Sequence, residues 1–494
     1  MARGVTRARA GVATLALAVL LTACPADAPD PNPTADGSLP PPSPEGTITV
    51  AYPSEPATLN PFHPDGDNPP TRDLARLLMP GLYRVDPDGE RTLWLLASEP
   101  VVSTEPRFEV RVALRDDAVW SDGEPITVRD LRATWRRATD PDRPAWARAG
   151  YDEIRRIVAL GEDGARIIFR RAYPAWRDLF SAGLGVLPAH ASSSGRRWPV
   201  SGGPFVLQRW RAGLDMVFRP NPHAWESEPT VERLRVVFVP DASGALELFR
   251  LGRVDVIGPY HAPDWLRRVD EVAEAVSSEV GDTWAGMLFN FRAPPVSSVE
   301  VRRAFVDAID RERLARGLVQ REGELLLSVG PRGPAIGTAR GAVGRARRRL
   351  EREGWTGGPV RTRGGNELRF TLAAVPEDLP FMMAEALKFQ AARAGFIFET
   401  VPLDAARLWG SWLDGDEFEA AYLIWRDPPE GALAARAGRA GFGDWNAAAV
   451  ERLVPIVPLY RVAVTLGSSA RVDGVRSSAA ADGPFWNAHQ WVLN

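Results

Sequence analysis

Three adjacent side chains bring an aromatic ring, a cation and an anion together at Trp425-Arg426-Asp427. They close the apolar run Ala420-Ala421-Tyr422-Leu423-Ile424, and Pro428 and Pro429 follow them. An apolar run of this length, bounded by turn formers, reads as a strand buried on both faces. Neither proline can donate to a sheet ladder, so the strand ends here. The three side chains then sit at the carboxyl end of a central strand, where open α/β sheets bind ligands. The plainer alternative is a helix or edge strand with a solvated Arg-Asp pair, and this stretch alone leaves both open.

Other chemistry is sparse. The one cysteine, Cys24, excludes an intrachain disulfide and any cysteine-based metal site. The five histidines, His63, His190, His223, His261 and His489, are scattered. There is no His-Glu-x-x-His, no Walker A, no Gly-x-Ser-x-Gly and no Gly-x-Gly-x-x-Gly after a strand. No resident metal, no cofactor and no enzymatic activity are expected. The formal charge is −3, and removal of a leader carrying Arg3, Arg7 and Arg9 would make the chain more acidic. That balance offers nucleic acid no basic footprint. Lys388 is the only lysine, which fits GC-rich coding better than a role for arginine.

The first residues read as an address. Arg3, Arg7 and Arg9 precede an apolar stretch, Gly11 to Leu21, that is too short to span a bilayer. Leu21-Thr22-Ala23-Cys24 resembles the bacterial lipobox, which is cut before a lipid-modified cysteine. Residues 1–23 are therefore expected to be a lipoprotein signal peptide, with Cys24 as the lipidation site. Residues 24–46, rich in Pro, Asp and Ser, cannot bury a core and are expected to be an extended linker. At ~3 Å per residue it would reach up to ~65 Å from the membrane.

Behind the linker, periodicity supplies the elements. Thr47 to Tyr52 alternates as a first strand. Arg72 to Leu78 reads as a short helix, and Gly81 to Val85 and Arg107 to Leu114 as strands. Thr127 is placed to cap a helix from Val128 to Thr139. Val301 to Gln320 reads as one amphipathic helix with Phe305, Ile309 and Leu314 or Leu318 on one face. Leu368 to Val375, Phe381 to Ala394 and Phe396 to Val401 make a strand-helix-strand unit, which forces parallel pairing. Ala420 to Trp425 adds a strand to the same sheet.

Several segments, in order and spacing, carry a resemblance. They are Glu55-Pro56-x-x-Leu59-x-Pro61, Trp120 to Thr127 with Asp130, Ser201 to Leu207, Asn221 to Trp225, Val237 to Asp241 and Leu251 to Val256. Leu288-Phe289-Asn290 with Pro295, Val301 to Phe305, and Pro455 to Tyr460 complete the set. Over about 50–490 the chain resembles the extracellular solute-binding proteins of the oligopeptide/dipeptide/nickel family (family 5), the lipid-anchored receptors of ABC importers.

The resemblance implies an α/β, periplasmic-binding-protein-like fold, with two α/β lobes, a hinge and an extra mixed domain. It places the first lobe at 47–75, 195–285 and 456–494, the extra domain at 76–194 and the second lobe at 286–455. Met287–Phe291 and Val454–Leu459 would be the hinge crossovers. It implies a monomer outside the cytoplasmic membrane that binds a peptide or similar small solute and delivers it to the permease subunits.

For the site, the resemblance gives Asp427 the solute's ammonium and puts Trp425 and Trp284 in the cleft wall. Ala57 and Thr58 would meet the ligand backbone. Trp409 and Trp412 are further aromatic candidates. The chain departs from the family pattern in three places. Asp427 follows Trp425 by two rather than three, so that Arg426 intervenes, either to neutralise Asp427 or to grip a carboxylate. Tyr422 stands where readers of longer peptides carry an arginine. Roughly thirty residues are missing between Asp427 and Pro455, which trims the second lobe. A degenerate member serving as an envelope sensor or scaffold is the alternative these departures leave.

Overall fold

The structure, a computed structural model, describes residues 42–494 apart from 67, 141–149, 182–183, 192–199, 227, 322, 330–333, 414–417 and 427–446. Cys24, most of the linker, Asp427 and the shortened segment as far as residue 446 lie outside the described residues.

Among the described residues, apolar-rich runs form eleven strands of one mixed sheet. In chain order they are β1 (Thr47–Tyr52), β2 (Phe205–Arg211), β3 (Asp215–Pro220), β4 (Arg233–Phe238), β5 (Val256–Ile257), β6 (Ala275–Phe289), β7 (Gly323–Leu325), β8 (Arg369–Ala374), β9 (Ile397–Pro402), β10 (Ala420–Arg426) and β11 (Ile456–Ser468). The spatial order is β9-β8-β10-β6-β11-β5-β1-β4-β3-β2, with β7 added to β11.

Two long antiparallel strands, β6 and β11, join the halves of this sheet. Near Ala275↔Ser468, β11 also pairs with β5 of the first half. From Thr283 to Phe289, β6 pairs with β10 of the second half. The β6–β11 register slips between Val280 and Trp284, and again between Ala285 and Gly286. Such slips bend a strand locally. The first slip lies a few residues before the expected crossover Met287–Phe291, whose Met287 and Leu288 are paired on both sides. This is a mixed α/β fold of two lobes.

A separate antiparallel sheet, Val101–Ser103, Glu109–Ala113, Gly164–Phe169 and Ile154–Leu160, packs with α1 (Pro69–Ala75) and α2 (Val128–Ala138). Its Val110, Val112 and Ile167 share one core with Ile48, Val50 and Phe205 of the first half. The expected cap on α2 is present: Thr127 accepts from the chain ahead of it and Asp130 accepts from the Thr127 N–H, a capping box.

The strand-helix-strand unit is present as β8, α3 (Asp378–Ala392) and β9, and the two strands are parallel. The single helix read over Val301 to Gln320 is divided. An α-helix runs over Val299–Ala308, and a new turn starts at Asp310, whose carboxylate accepts from the Arg313 N–H. Aspartate competes for backbone donors this way, so it restarts a helix more readily than it continues one. Phe305, Ile309 and Leu314 are nevertheless all buried, as their spacing required. The buried Arg302 guanidinium donates to the carbonyls of Leu453 and Val454, which fixes the chain as it enters β11. No helix among the described residues is long and apolar enough to cross a membrane.

Candidate ligand-binding site

Four strand ends converge on one cavity. β1 ends at Tyr52, β5 leads to Pro259 and His261, β8 leads through Val375 to Glu377, and β10 ends at Arg426. β1 and β5 are parallel to each other, as are β8 and β10, so carboxyl ends from both halves meet here. The space measures about 750 Å³ including its open mouth, within the range of small-molecule sites. Its apolar walls include Pro69, Pro70, Leu408, Trp409 and Val464. The turn after β5 needs Gly258: its φ is +111°, and a Cβ there would lie 2.4 Å from the Thr465 carbonyl oxygen.

Across the cavity the two halves touch at charged and polar groups. The Asp73 carboxylate, from α1, accepts from the Tyr52 hydroxyl at 2.8 Å and from the Arg426 guanidinium. The Asp73 side chain is 2% exposed and that of Arg426 10%. A pair this deep is viable only when both partners stay and further hydrogen bonds satisfy the carboxylate. Burial, followed by the charge of Asp73, pushes the Tyr52 phenol well above its ordinary value, so it remains a donor. Gly483 covers the pair. Its φ is +71°, and a Cβ there would stand 2.6 Å from Arg426 Nη1 and 2.7 Å from Asp73 Oδ1. One more contact bridges the halves: the Leu379 N–H donates to the His261 carbonyl at 2.9 Å. Ser54 and Glu377 line the same cavity from the two sides.

The remaining titratable groups differ in state. Burial pushes His261 down to about 4, helped by the charge of Arg426, so its ring is neutral at ordinary pH. Burial pushes Glu377 up to about 7, and the neighbouring Asp378 adds to this while Ser54 opposes it. Tyr422 and Tyr460 share a hydroxyl–hydroxyl bond of 2.8 Å. No cluster of three or more His, Cys, Asp or Glu suited to a metal ion occurs among the described residues.

The side chains expected at the site divide. Tyr422 and Arg426 line the cavity, and Arg426 is turned to Asp73 of the other half. Trp425 is not in the lining. Tyr422, Leu423, Ile424 and Arg426 all line the cavity, whereas Trp425, pointing opposite to its neighbours Ile424 and Arg426, faces away. Its ring stacks on Trp284 at 4.6 Å and meets Trp409 edge-on at 6.2 Å. Trp284 and Trp425 are 0% and 3% exposed, core residues behind the wall. Of the aromatic candidates, Trp409 reaches the lining and Trp412 does not. Thr58 is buried in its own loop, its hydroxyl accepting from the Asn60 N–H and its carbonyl from the Thr71 hydroxyl. Neither it nor Ala57 lines the cavity. Asp427 falls outside the described residues.

The sequence reading missed Tyr52, Asp73, His261 and Glu377. The rule that singled out Arg426, a polar side chain just past a strand end, applies equally to Tyr52 and to Glu377. For Asp73 no local signal existed, since its partner lies 353 residues away.

Residues 93–433 match the model of the bacterial extracellular solute-binding proteins, family 5 (middle region). Protein XP55 of Streptomyces lividans is 27% identical over 350 residues, covering 66% of this chain and 61% of that protein. The chain thus matches about three-fifths of that relative's length. Among solved structures, the oligopeptide-binding protein AppA of Bacillus subtilis, in complex with a nonapeptide, has a TM-score of 0.77 at 16% identity, covering 92% of this chain and all of AppA. NikZ of Campylobacter jejuni, in complex with Ni(L-His), has a TM-score of 0.72 at 19% identity, covering 91% of this chain and 99% of NikZ. At such identities the two structures share the fold with this chain, and they carry very different ligands on it.

Proposed function

Because the chain belongs to the family 5 bacterial extracellular solute-binding proteins, whose members are binding proteins and not enzymes, we infer that it captures a peptide or a related small solute between its halves and passes it to the permease of an ABC importer. Cys24 would hold it to the outer face of the cytoplasmic membrane as a monomer. The observation that carries this reading is the cavity at the meeting of four strand ends, walled by apolar groups and bridged by a few polar ones. The slips in β6 and β11 provide the place to flex. Opening would separate Arg426 from Asp73 and Glu377 from Ser54. A bound solute then shifts the balance toward closure to the extent that it binds the closed form better. The first lobe would comprise 47–75, 195–285 and 456–494, the extra domain 76–194 and the second lobe 286–455.

The test is to purify the protein without denaturation, release any bound solute for mass spectrometry, and measure melting shifts with pools of peptides and other solutes. A solute at a hundred times its Kd should add ~2.7 kcal/mol. A co-purified solute or a saturable shift supports the receptor reading. Neither, across all pools, contradicts it and leaves the sensor or scaffold role.

A further inference from the structure

Within the solute-binding reading, on which this step rests, the geometry points to Glu377 as the group that selects the solute: the cleft takes a compact molecule bearing a protonated amine, seated against the Glu377 carboxylate. The charged side chains of the lining are Asp73, Arg426 and Glu377. Asp73 and Arg426 consume each other, and Tyr52 completes the acceptor set. Glu377 forms no ion pair among the described residues, and the nearby donor that favours its charged form is the Ser54 side chain. One donor leaves most of a carboxylate's acceptor capacity unused.

Glu377 is also the N-cap residue of the fifteen-residue α3, yet its side chain makes no capping bond. An acidic side chain at that position ordinarily accepts from the first-turn N–H groups. Here the side chain lines the cavity instead. Among the described residues, the ionisable groups around it are the phenols of Tyr52, Tyr260, Tyr422 and Tyr460, the neutral ring of His261 and the acid Asp378. None of these supplies a positive charge. Arg426, the cation of the lining, is committed to Asp73. A partly buried acid without a counter-charge favours its protonated form, and a ligand ammonium placed beside it removes that disadvantage. The apolar walls and modest volume favour a small solute over an extended chain.

The peptide α-ammonium and the amine of a non-peptide solute present the same chemistry, so the test separates them. The whole protein is titrated calorimetrically at pH 7 with four probe pools: di- and tripeptides with free amino termini, the same peptides N-acetylated, simple alkyl diamines, and uncharged oligosaccharides. Wild-type protein should bind a free-amine probe roughly 10- to 100-fold tighter than its acetylated or uncharged counterpart. Preference for peptides or for diamines identifies the source of the amine, and either supports the inference. Glu377→Gln should bring that ratio close to one, while Asp378→Asn, which alters the exposed neighbour, should keep it. Should Glu377→Gln fail to fold, Glu377→Asp, which withdraws the same carboxylate, should lower the ratio, and an unchanged ratio overturns the inference. Equal affinity for free and acetylated probes, binding confined to oligosaccharides, or a ratio that survives Glu377→Gln overturns the inference while the receptor reading stands. No binding by any pool overturns both.

Discussion

Two carboxylates line the same cavity and meet opposite fates. Asp73 is held by Tyr52 and by Arg426 from the far half of the sheet, under Gly483. Glu377 has Ser54 and little else, and is pushed up to about 7. The first has its counter-charge built into the chain and so belongs to the fold and its closure. The second has none among the described residues, and that makes it the candidate for recognition. A charged residue in a cleft is therefore not informative by its presence; what matters is whether the protein already neutralises it.

Breaking the satisfied pair should produce the largest effect. Arg426→Met leaves Asp73 charged and unpaired, and should cost about 3–5 kcal/mol in urea unfolding of the ligand-free protein. The double variant Asp73→Asn/Arg426→Met should recover most of that loss. An Arg426→Met protein as stable as wild type would show that the pair contributes little. Gly483→Ala should come next, at about 1–3 kcal/mol, because its new methyl meets both partners in a backbone conformation that favours glycine. In the Arg426→Met background the same change should cost less, since one of the atoms it meets is gone. Full additivity would contradict this packing.

The unsatisfied acid should show itself through pH. The folded-state value of Glu377 is raised from 4.5 to about 7. Its contribution to stability is thus fully present below pH 4.5 and lost as pH rises through about 7. Wild-type protein should lose about 1 kcal/mol relative to Glu377→Gln across that window. A difference that stays constant with pH would place the group in a more open setting. Tyr422→Phe is a comparably small perturbation: it removes one shared hydroxyl bond with Tyr460 and should cost about 1 kcal/mol in the same unfolding measurement.

The same contrast explains what could be read in the sequence. Ala420 to Trp425 was legible because an apolar run ending in Arg-Asp-Pro-Pro has few other solutions, and β8, α3 and β9 because their periods change from two to 3.6 and back. The family motifs made the two-lobe fold legible as well. The site was legible only where it obeyed the strand-end rule. Trp425 was read as part of a cluster with Arg426, although alternation along one strand sends neighbours to opposite faces. Asp73 was invisible because its environment is made by Arg426 and Gly483, over three hundred residues further on. Glu377 lay in plain view after a strand, but its importance depends on the absence of a counter-charge among the described residues, and no local pattern encodes that.

The most direct test of the account compares the two carboxylates by their effect on binding. With the free-amine probe that wild-type protein binds best, Glu377→Gln should weaken affinity at least about tenfold more than Asp73→Asn/Arg426→Met does. The opposite order, with the double variant losing affinity and Glu377→Gln keeping it, would contradict the assignment of one acid to the fold and the other to the solute.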